Sequence, residues 1–243
     1  SSSYAVASTL ESIANRLEAE TRSGKRRNDA GAFIADRDLT SEEREEADNT
    51  LASTEVIEGG ERAEMLAEVQ ELRDYAALAR SITVNQKAVK LVDALEQGFA
   101  KLREIGAPEK AIIFTDSTVT QNYLAQSLCD AGWGEGLVLF NGTNDSAEAN
   151  AIYREWLEEN KGGDIVTGIP AADRRKALVD EFRQRGRLMI ATEAAAEGIN
   201  LQFCSMLVNY DLPWNPQRVE QRIGRVHRFG QKHNVVVVNF SNK

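Results

Sequence analysis

Cysteine, histidine and proline are scarce in this chain, and their scarcity narrows its chemistry. Its 243 residues include two cysteines, two histidines and four prolines. Cys129 and Cys204 lie far apart, with no C-x-x-C and no histidine pair at ligand spacing. A disulfide scaffold and a zinc site are thereby set aside, and no residue is assigned to a metal. The same usage fits a reducing compartment such as the cytoplasm. No apolar run approaches a membrane span, and no secretion-signal pattern opens the chain. No G-K-[ST] frame occurs, so Gly24-Lys25 is not a phosphate-cradling loop. No Asp-Glu-x-His run supplies a metal-binding acidic pair. A dinucleotide-binding enzyme has only an alternating pattern behind it, because no G-x-G-x-x-G follows a strand-like run. Internal repeats and low-complexity tracts are also missing.

What is present is an ordinary apolar share of 42%, a high charged share of 28% and a net charge of -9. An acidic balance argues against a nucleic-acid binder at first sight, but net charge describes the whole surface and not one patch. Much of the acid sits between residues 42 and 71. Between residues 218 and 232 the balance is basic.

The chain changes texture near Gly106-Ala107-Pro108. Before it, the reading is helical. Val6, Leu10, Ile13 and Leu17 recur at helical spacing, and Thr40-Ser41-Glu42-Glu43 has the form of a helix start. Residues 63–80 and 84–105 read as long helices, with Leu66, Val69, Leu72 and Leu78 on one seam. Val89, Leu91, Val92, Leu95, Phe99 and Leu102 form another. This region shows no strand signal. After the break, short apolar runs at 111–115, 137–140, 187–191, 205–210 and 235–240 alternate with helical stretches at 118–131, 147–159, 171–185 and 215–225. Strands that are apolar on both faces and alternate with helices predict an α/β fold, a parallel sheet covered on both sides. Residues 1–107 are expected to form a helical segment and residues 108–243 the sheet domain. Ligands of such sheets meet the loops at the carboxyl ends of the strands, which here carry Thr115, Gly142, Thr192 and Trp214.

The stretch Gln221-Arg222-Ile223-Gly224-Arg225-Val226-His227-Arg228 is the most distinctive. On a helix, Arg225 and Arg228 lie one turn apart on one face. Arginine is seldom buried without a partner, and its planar fork suits phosphate oxygens. His227 has no carboxylate beside it in sequence and is not read as a general base. Cys204, at the start of an apolar run, reads as a small core residue.

The Gln-x-x-Gly-Arg-x-x-Arg spacing resembles the sixth motif of superfamily-two helicases, in the form found in Swi/Snf-type translocases. Ile112-Ile113-Phe114-Thr115 resembles the fourth motif of that family. Thr192-Glu193-Ala194-Ala195-Ala196-Glu197-Gly198-Ile199-Asn200 resembles the fifth, and Asn209-Tyr210-Asp211-Leu212-Pro213-Trp214 resembles the link to the sixth. The resemblance spans about residues 110–240 and is weak between 20 and 85. It implies a second RecA-like lobe. Arg225 and Arg228 would act as arginine fingers toward an ATP held, with Mg, mainly by a first lobe outside this chain. Gln221 and Gly224 would shape the start of their helix, with Glu197 and Gly198 beside the nucleotide. Thr115, Gly142, Thr143, Arg175, Thr192, Asn200 and Trp214 would line the track of double-stranded DNA. The resemblance also implies that the chain is part of a longer ATP hydrolase and is inactive alone. A reading of another class stays open: a non-catalytic module that docks a protein partner through its N-terminal helices.

Overall fold

The computed structural model describes residues 3–28, 53–56, 59–81, 86–196, 198–213 and 215–241. The chain divides into two compact units, Ser1–Gln86 and Lys87–Lys243.

In the first unit, α1 (Ser3–Ser23) packs along α2 (Gly59–Ser81). Ala14 and Leu17 meet Met65 and Val69, with Ile13 and Leu72 at the margin. Arg73 donates to Glu18 at 2.7 Å, and Arg80 pairs with Glu11. The seam runs through Met65, Val69 and Ala76. Leu66 and Leu78, expected on it, are exposed, as is Val6. Positions 65, 69, 72 and 76 keep a tighter helical period than the expected set, and periodicity alone did not choose between two offset stripes. Contrary to expectation, the unit also holds two strands, β1 (Lys25–Asn28) and β2 (Ser53–Val56), paired antiparallel with Lys25 opposite Val56. The sequence Lys-Arg-Arg-Asn has neither alternation nor β-branching, so nothing marks it as a strand. The helix start at Thr40-Ser41 lies outside the described residues.

The second unit is built on a five-stranded sheet. Its strands are β3 (Ala111–Thr115), β4 (Leu137–Phe140), β5 (Leu188–Thr192), β6 (Met206–Asn209) and β7 (Val236–Asn239). They lie in the order β4-β5-β3-β6-β7, every neighbouring pair parallel. The helices are α3 (Gln86–Glu104), α4 (Thr118–Asp130), α5 (Ala147–Glu159), α6 (Pro170–Gln184), the single-turn α7 (Glu193–Ala196) and α8 (Pro216–Val226). Alternate residues of each central strand point to opposite faces. Ile112, Phe114, Met189 and Leu207 pack with Leu178 and Phe182 of α6 and Val226 of α8. Ile113, Ile190 and Val208 face Leu95 and Phe99 of α3 and Leu124 of α4. Burial on both faces explains why the strands read as unbroken apolar runs.

One boundary moves. The sequence places residues 86–104 with the helical segment, but α3 buries Leu91, Leu95, Phe99 and Leu102 against one face of the sheet. Val89, expected within that stripe, is exposed. An amphipathic stripe announces that something covers it without saying what.

At the carboxyl end of the sheet, Gln121 is fully buried. Its Nε2 donates to the carbonyls of Phe140 at 3.1 Å and Ile190 at 2.7 Å. Its Oε1 accepts from Asn141 Nδ2 at 3.0 Å. One side chain thus holds the ends of β4 and β5 and the loop that follows β4.

Cys204 is buried, and burial pushes its thiol up to about 12, while Cys129 is exposed. Thiolate is the reactive form. At pH 8, an aromatic disulfide reagent is therefore expected to titrate one thiol in the native protein and two in denaturant. Rapid reaction of both thiols in the native protein would contradict this packing.

Candidate functional site

The site is assembled at the carboxyl ends of β3, β5 and β6, where α8 crosses them. Asn215 caps that helix by accepting from Gln217 N at 2.9 Å, and Pro216 occupies its first turn. Proline there has no N–H to lose and a φ already suited to the helix.

Arg222 is the centre of the arrangement. Although cationic, it is only 2% exposed. Its Nε donates to Glu193 Oε2 at 2.6 Å, and Nη2 contacts the same oxygen. Nη1 donates to Asn209 Oδ1 at 2.9 Å and to the Asp211 carbonyl at 2.8 Å. Asp116 stands 3.6 Å from Nη2, and the guanidinium lies 4.9 Å from the centre of the Phe114 ring. The residue thus binds to groups just past β5, at the end of β6 and just past it, and stacks on β3. A guanidinium has five N–H donors in a fixed fork, and this fork is engaged on every side. Asn209 also donates to Asn239 Oδ1 at 2.7 Å, which extends the network to β7.

Asp211 forms a second tier. It accepts from the Thr115 hydroxyl at 2.7 Å, from Asp116 N at 3.2 Å and from Lys87 at 3.3 Å. Lys87 also lies 4.1 Å from the centre of the Tyr210 ring. Burial on its own would raise the Asp211 carboxyl. The Thr115 hydroxyl, the Lys87 ammonium and the Asp116 amide outweigh it and hold the group below its ordinary 3.8.

The two later arginines differ from Arg222. Arg225 is partly exposed and lines a small crevice with Phe114, Glu193, Ala196 and Gln221. Arg228 is exposed. Among the described residues, neither makes a side-chain hydrogen bond or ion pair. The expected helical pairing of Arg225 with Arg228 is not formed. The helix ends at Val226, and His227 leaves it with φ -104° and ψ 87°. Arg228 therefore sits in the bend beyond. Gln221 and Gly224 lie in the middle and last turn of α8, not at its start.

Of the residues expected along a nucleic-acid track, Thr115 and Thr192 are fully buried neighbours on adjacent strands. The Thr115 hydroxyl serves Asp211, which corrects the expectation that it grips DNA. Gly142 and Thr143 are exposed at the tip of the loop after β4. That loop is set by a reciprocal pair: Asn141 N donates to Asn144 Oδ1 at 2.8 Å and Asn144 N to Asn141 Oδ1 at 2.7 Å. Arg175 is half-buried. Its Nη2 donates to the Ala195 carbonyl at 2.6 Å, and it lies 5.1 Å from the centre of the Phe140 ring. It joins α6 to α7 and shares a cleft of about 170 Å³ with Lys176, Arg183, Ile199 and Asn200. Gly198 is exposed with φ +76°, a conformation that favours glycine. Glu197 and Trp214 lie outside the described residues.

Sequence reasoning did not find the anchoring role of Arg222 or the parts of Glu193, Asn209, Asp211 and Lys87. A signal was available for Arg222. It stands three residues after Val219 and four before Val226, on an otherwise apolar stripe, where a charge requires partners.

Two expectations follow. Replacing Arg222 by Met leaves Glu193 and Asp116 uncompensated and is expected to cost about 3–5 kcal/mol in urea unfolding. Lysine lacks the planar fork, so Arg222→Lys should recover less than half of that; full recovery would contradict the network. Because the Asp211 carboxyl is lowered in the folded state, its stabilising contribution is present above pH 3.8 and is lost as pH falls through the lowered value. Asp211→Asn is thus expected to be about 1–3 kcal/mol less stable at pH 7, with the deficit narrowing below pH 3.8. A deficit that grew on acidification would be inconsistent with this.

Comparison with known proteins bears on the same segment. Residues 121–230 match the model of the helicase conserved C-terminal domain. An uncharacterized ATP-dependent helicase, YqhH, of Bacillus subtilis (strain 168) is 36% identical over 167 residues, covering 67% of this chain and 22% of that protein. The RNA polymerase-associated protein RapA of Cronobacter sakazakii (strain ATCC BAA-894) is 43% identical over 65 residues, 27% of this chain and 7% of RapA. The chain therefore spans less than a quarter of the length of either relative. Among solved structures, the C-terminal part of the Fun30 ATPase domain aligns with a TM-score of 0.45 and 16% identity, over 75% of this chain and 54% of that one. No helix among the described residues is long and apolar enough to cross a membrane. The matched segment, residues 121–230, which carries the arginine motif at the carboxyl edge of the parallel sheet, is a helicase conserved C-terminal domain.

Proposed function

We propose that this lobe is one half of the motor of an ATP-dependent, double-stranded DNA translocase of Swi/Snf type. In this reading ATP and Mg²⁺ are held mainly by a first RecA-like lobe. Arg225 and Arg228 reach the transferred phosphoryl group when the lobes close. The observation that carries the reading is the contrast within one motif. Arg222 is buried and engaged on every side, whereas Arg225 and Arg228 have no side-chain partner among the described residues. Anchoring the first arginine fixes the helix, and a fixed helix can present the other two.

Phosphoryl transfer is catalysed mainly by positioning and by neutralising charge on the transferred group. Two guanidinium groups on a separate lobe do this only in the closed state, which would couple turnover to domain movement. Mg²⁺, when bound, would neutralise and bridge the phosphates. Gln221 borders the same crevice as Arg225, and Gly224 keeps the last turn of α8 free of a side chain. Glu197 and Gly198 would lie beside the nucleotide. Gly142, Thr143 and Asn200, exposed on loops at the carboxyl edge, would grip the DNA backbone without reading sequence. Arg175 would act from behind them by fixing α7.

In the full-length protein, Arg228→Ala and Arg225→Ala are each expected to lower DNA-stimulated ATP turnover by about 10³-fold. Neither should change the melting temperature, because neither side chain has a hydrogen-bond or ion-pair partner among the described residues. This lobe alone should hydrolyse essentially no ATP. Wild-type turnover in both variants would refute the assignment, and stimulation by RNA but not by duplex DNA would redirect the substrate.

A further inference from the structure

The turn that follows α8 carries an unexplained aromatic. Phe229 has a relative exposure of 103%, higher than any other large apolar side chain among the described residues. Among the described residues, nothing covers its ring. The backbone beneath it, by contrast, is tightly held. Gln202 Nε2 donates to the Phe229 carbonyl at 2.9 Å. Gln231 N donates to the Arg228 carbonyl at 2.9 Å. The Gln231 side chain donates to the carbonyls of Cys204 at 3.1 Å and Val226 at 3.0 Å. Its Oε1 accepts from Lys232 N at 2.9 Å and His233 N at 3.2 Å. Gly230, with φ +103°, closes the turn. Two glutamines thus hold the loop in place while the phenyl group projects from it. A fraying loop would not need these bonds, and a residue of the core would not be left in water.

We infer that Phe229 is a docking residue for the facing first lobe, seated in an apolar recess beside the nucleotide site when the lobes close. This rests on the reading that Arg228 reaches a nucleotide held by that lobe. Phe229 is the next residue, with its Cα about 3.8 Å from that of Arg228. If Arg228 enters the interface, Phe229 enters with it. A phenyl group between an arginine and a glycine contributes no charge to phosphate, so its partner is an apolar protein surface. Burying it only in the closed state would favour closure on the order of tenfold to a hundredfold. Phe229 is thus a positioning residue. It acts on how often the arginines arrive, and not on the phosphoryl group.

The test uses the full-length protein with saturating ATP and duplex DNA. Phe229→Ala is expected to lower kcat by roughly tenfold or more with an unchanged melting temperature, and Phe229→Leu to retain most of the activity. With p-benzoylphenylalanine in place of Phe229, a non-hydrolysable ATP analogue should increase photocrosslinking to peptides of the first lobe. Wild-type kcat in Phe229→Ala, while Arg228→Ala is inactive, overturns this inference and leaves the underlying reading intact. Wild-type turnover in Arg228→Ala overturns the underlying reading and this inference with it. Crosslinks to DNA, crosslinking indifferent to nucleotide, or a lowered melting temperature in Phe229→Ala would also overturn the docking role.

Discussion

The lobe depends on one buried guanidinium. Arg222 reaches from a helix into the carboxyl end of the sheet, binds groups at the ends of β5 and β6, and lies against Asp116 and Phe114 at the end of β3. Desolvating an arginine is costly, and the cost is offset only when nearly every donor finds an acceptor. That requirement fixes geometry. Glu193 must begin α7 where it does, Asn209 must end β6 with its amide turned inward, and Asp116 must stand near the guanidinium, 3.6 Å away. A longer or looser helix would leave donors unpaired. The orientation of α8, and so of everything it carries, follows from this single set of bonds.

Spacing then divides the labour within the motif. Arg225 stands three positions after Arg222, and Arg228 three positions after Arg225. The first of these arginines anchors the helix. The second stands at the edge of a crevice. The third lies past the point where His227 breaks the helix, on a turn held by Gln202 and Gln231. Arginines at equal intervals thus occupy three environments, graded from buried through partly exposed to exposed. In the proposed reading, this grading suits a cleft completed from outside, because exposed cations on a held helix are available to an anion that another lobe brings. Asp211 extends the same logic to the opposite face of the sheet by joining Thr115 of β3 to Lys87 of α3.

Much of this was legible in the residues alone. The apolar runs at 111–115, 137–140 and 187–191 fall on strands, because burial on both faces writes a simple pattern. Asn215-Pro216 marked a helix start. Other features could not be read. The strands β1 and β2 have no apolar alternation, and only their pairing reveals them. Helix α3 had a clear stripe but no indication of which surface would cover it. Thr115 looked like a loop hydroxyl suited to phosphate, yet it is consumed by Asp211, a residue 96 positions away. Arg222 was grouped with its exposed neighbours because sequence gives the spacing of charges and not their partners. Long-range polar pairing is the information that a single sequence holds least openly.

The most direct measurement is a structure of the full-length protein trapped with Mg²⁺, ADP and a transition-state mimic of the γ-phosphate. Guanidinium nitrogens of Arg225 and Arg228 are expected to stand about 2.7–2.9 Å from the mimic, with Arg222 still bound to Glu193, Asn209 and Asp211. A closed complex in which both later arginines remain in solvent, or pair with acids of their own lobe, would contradict it.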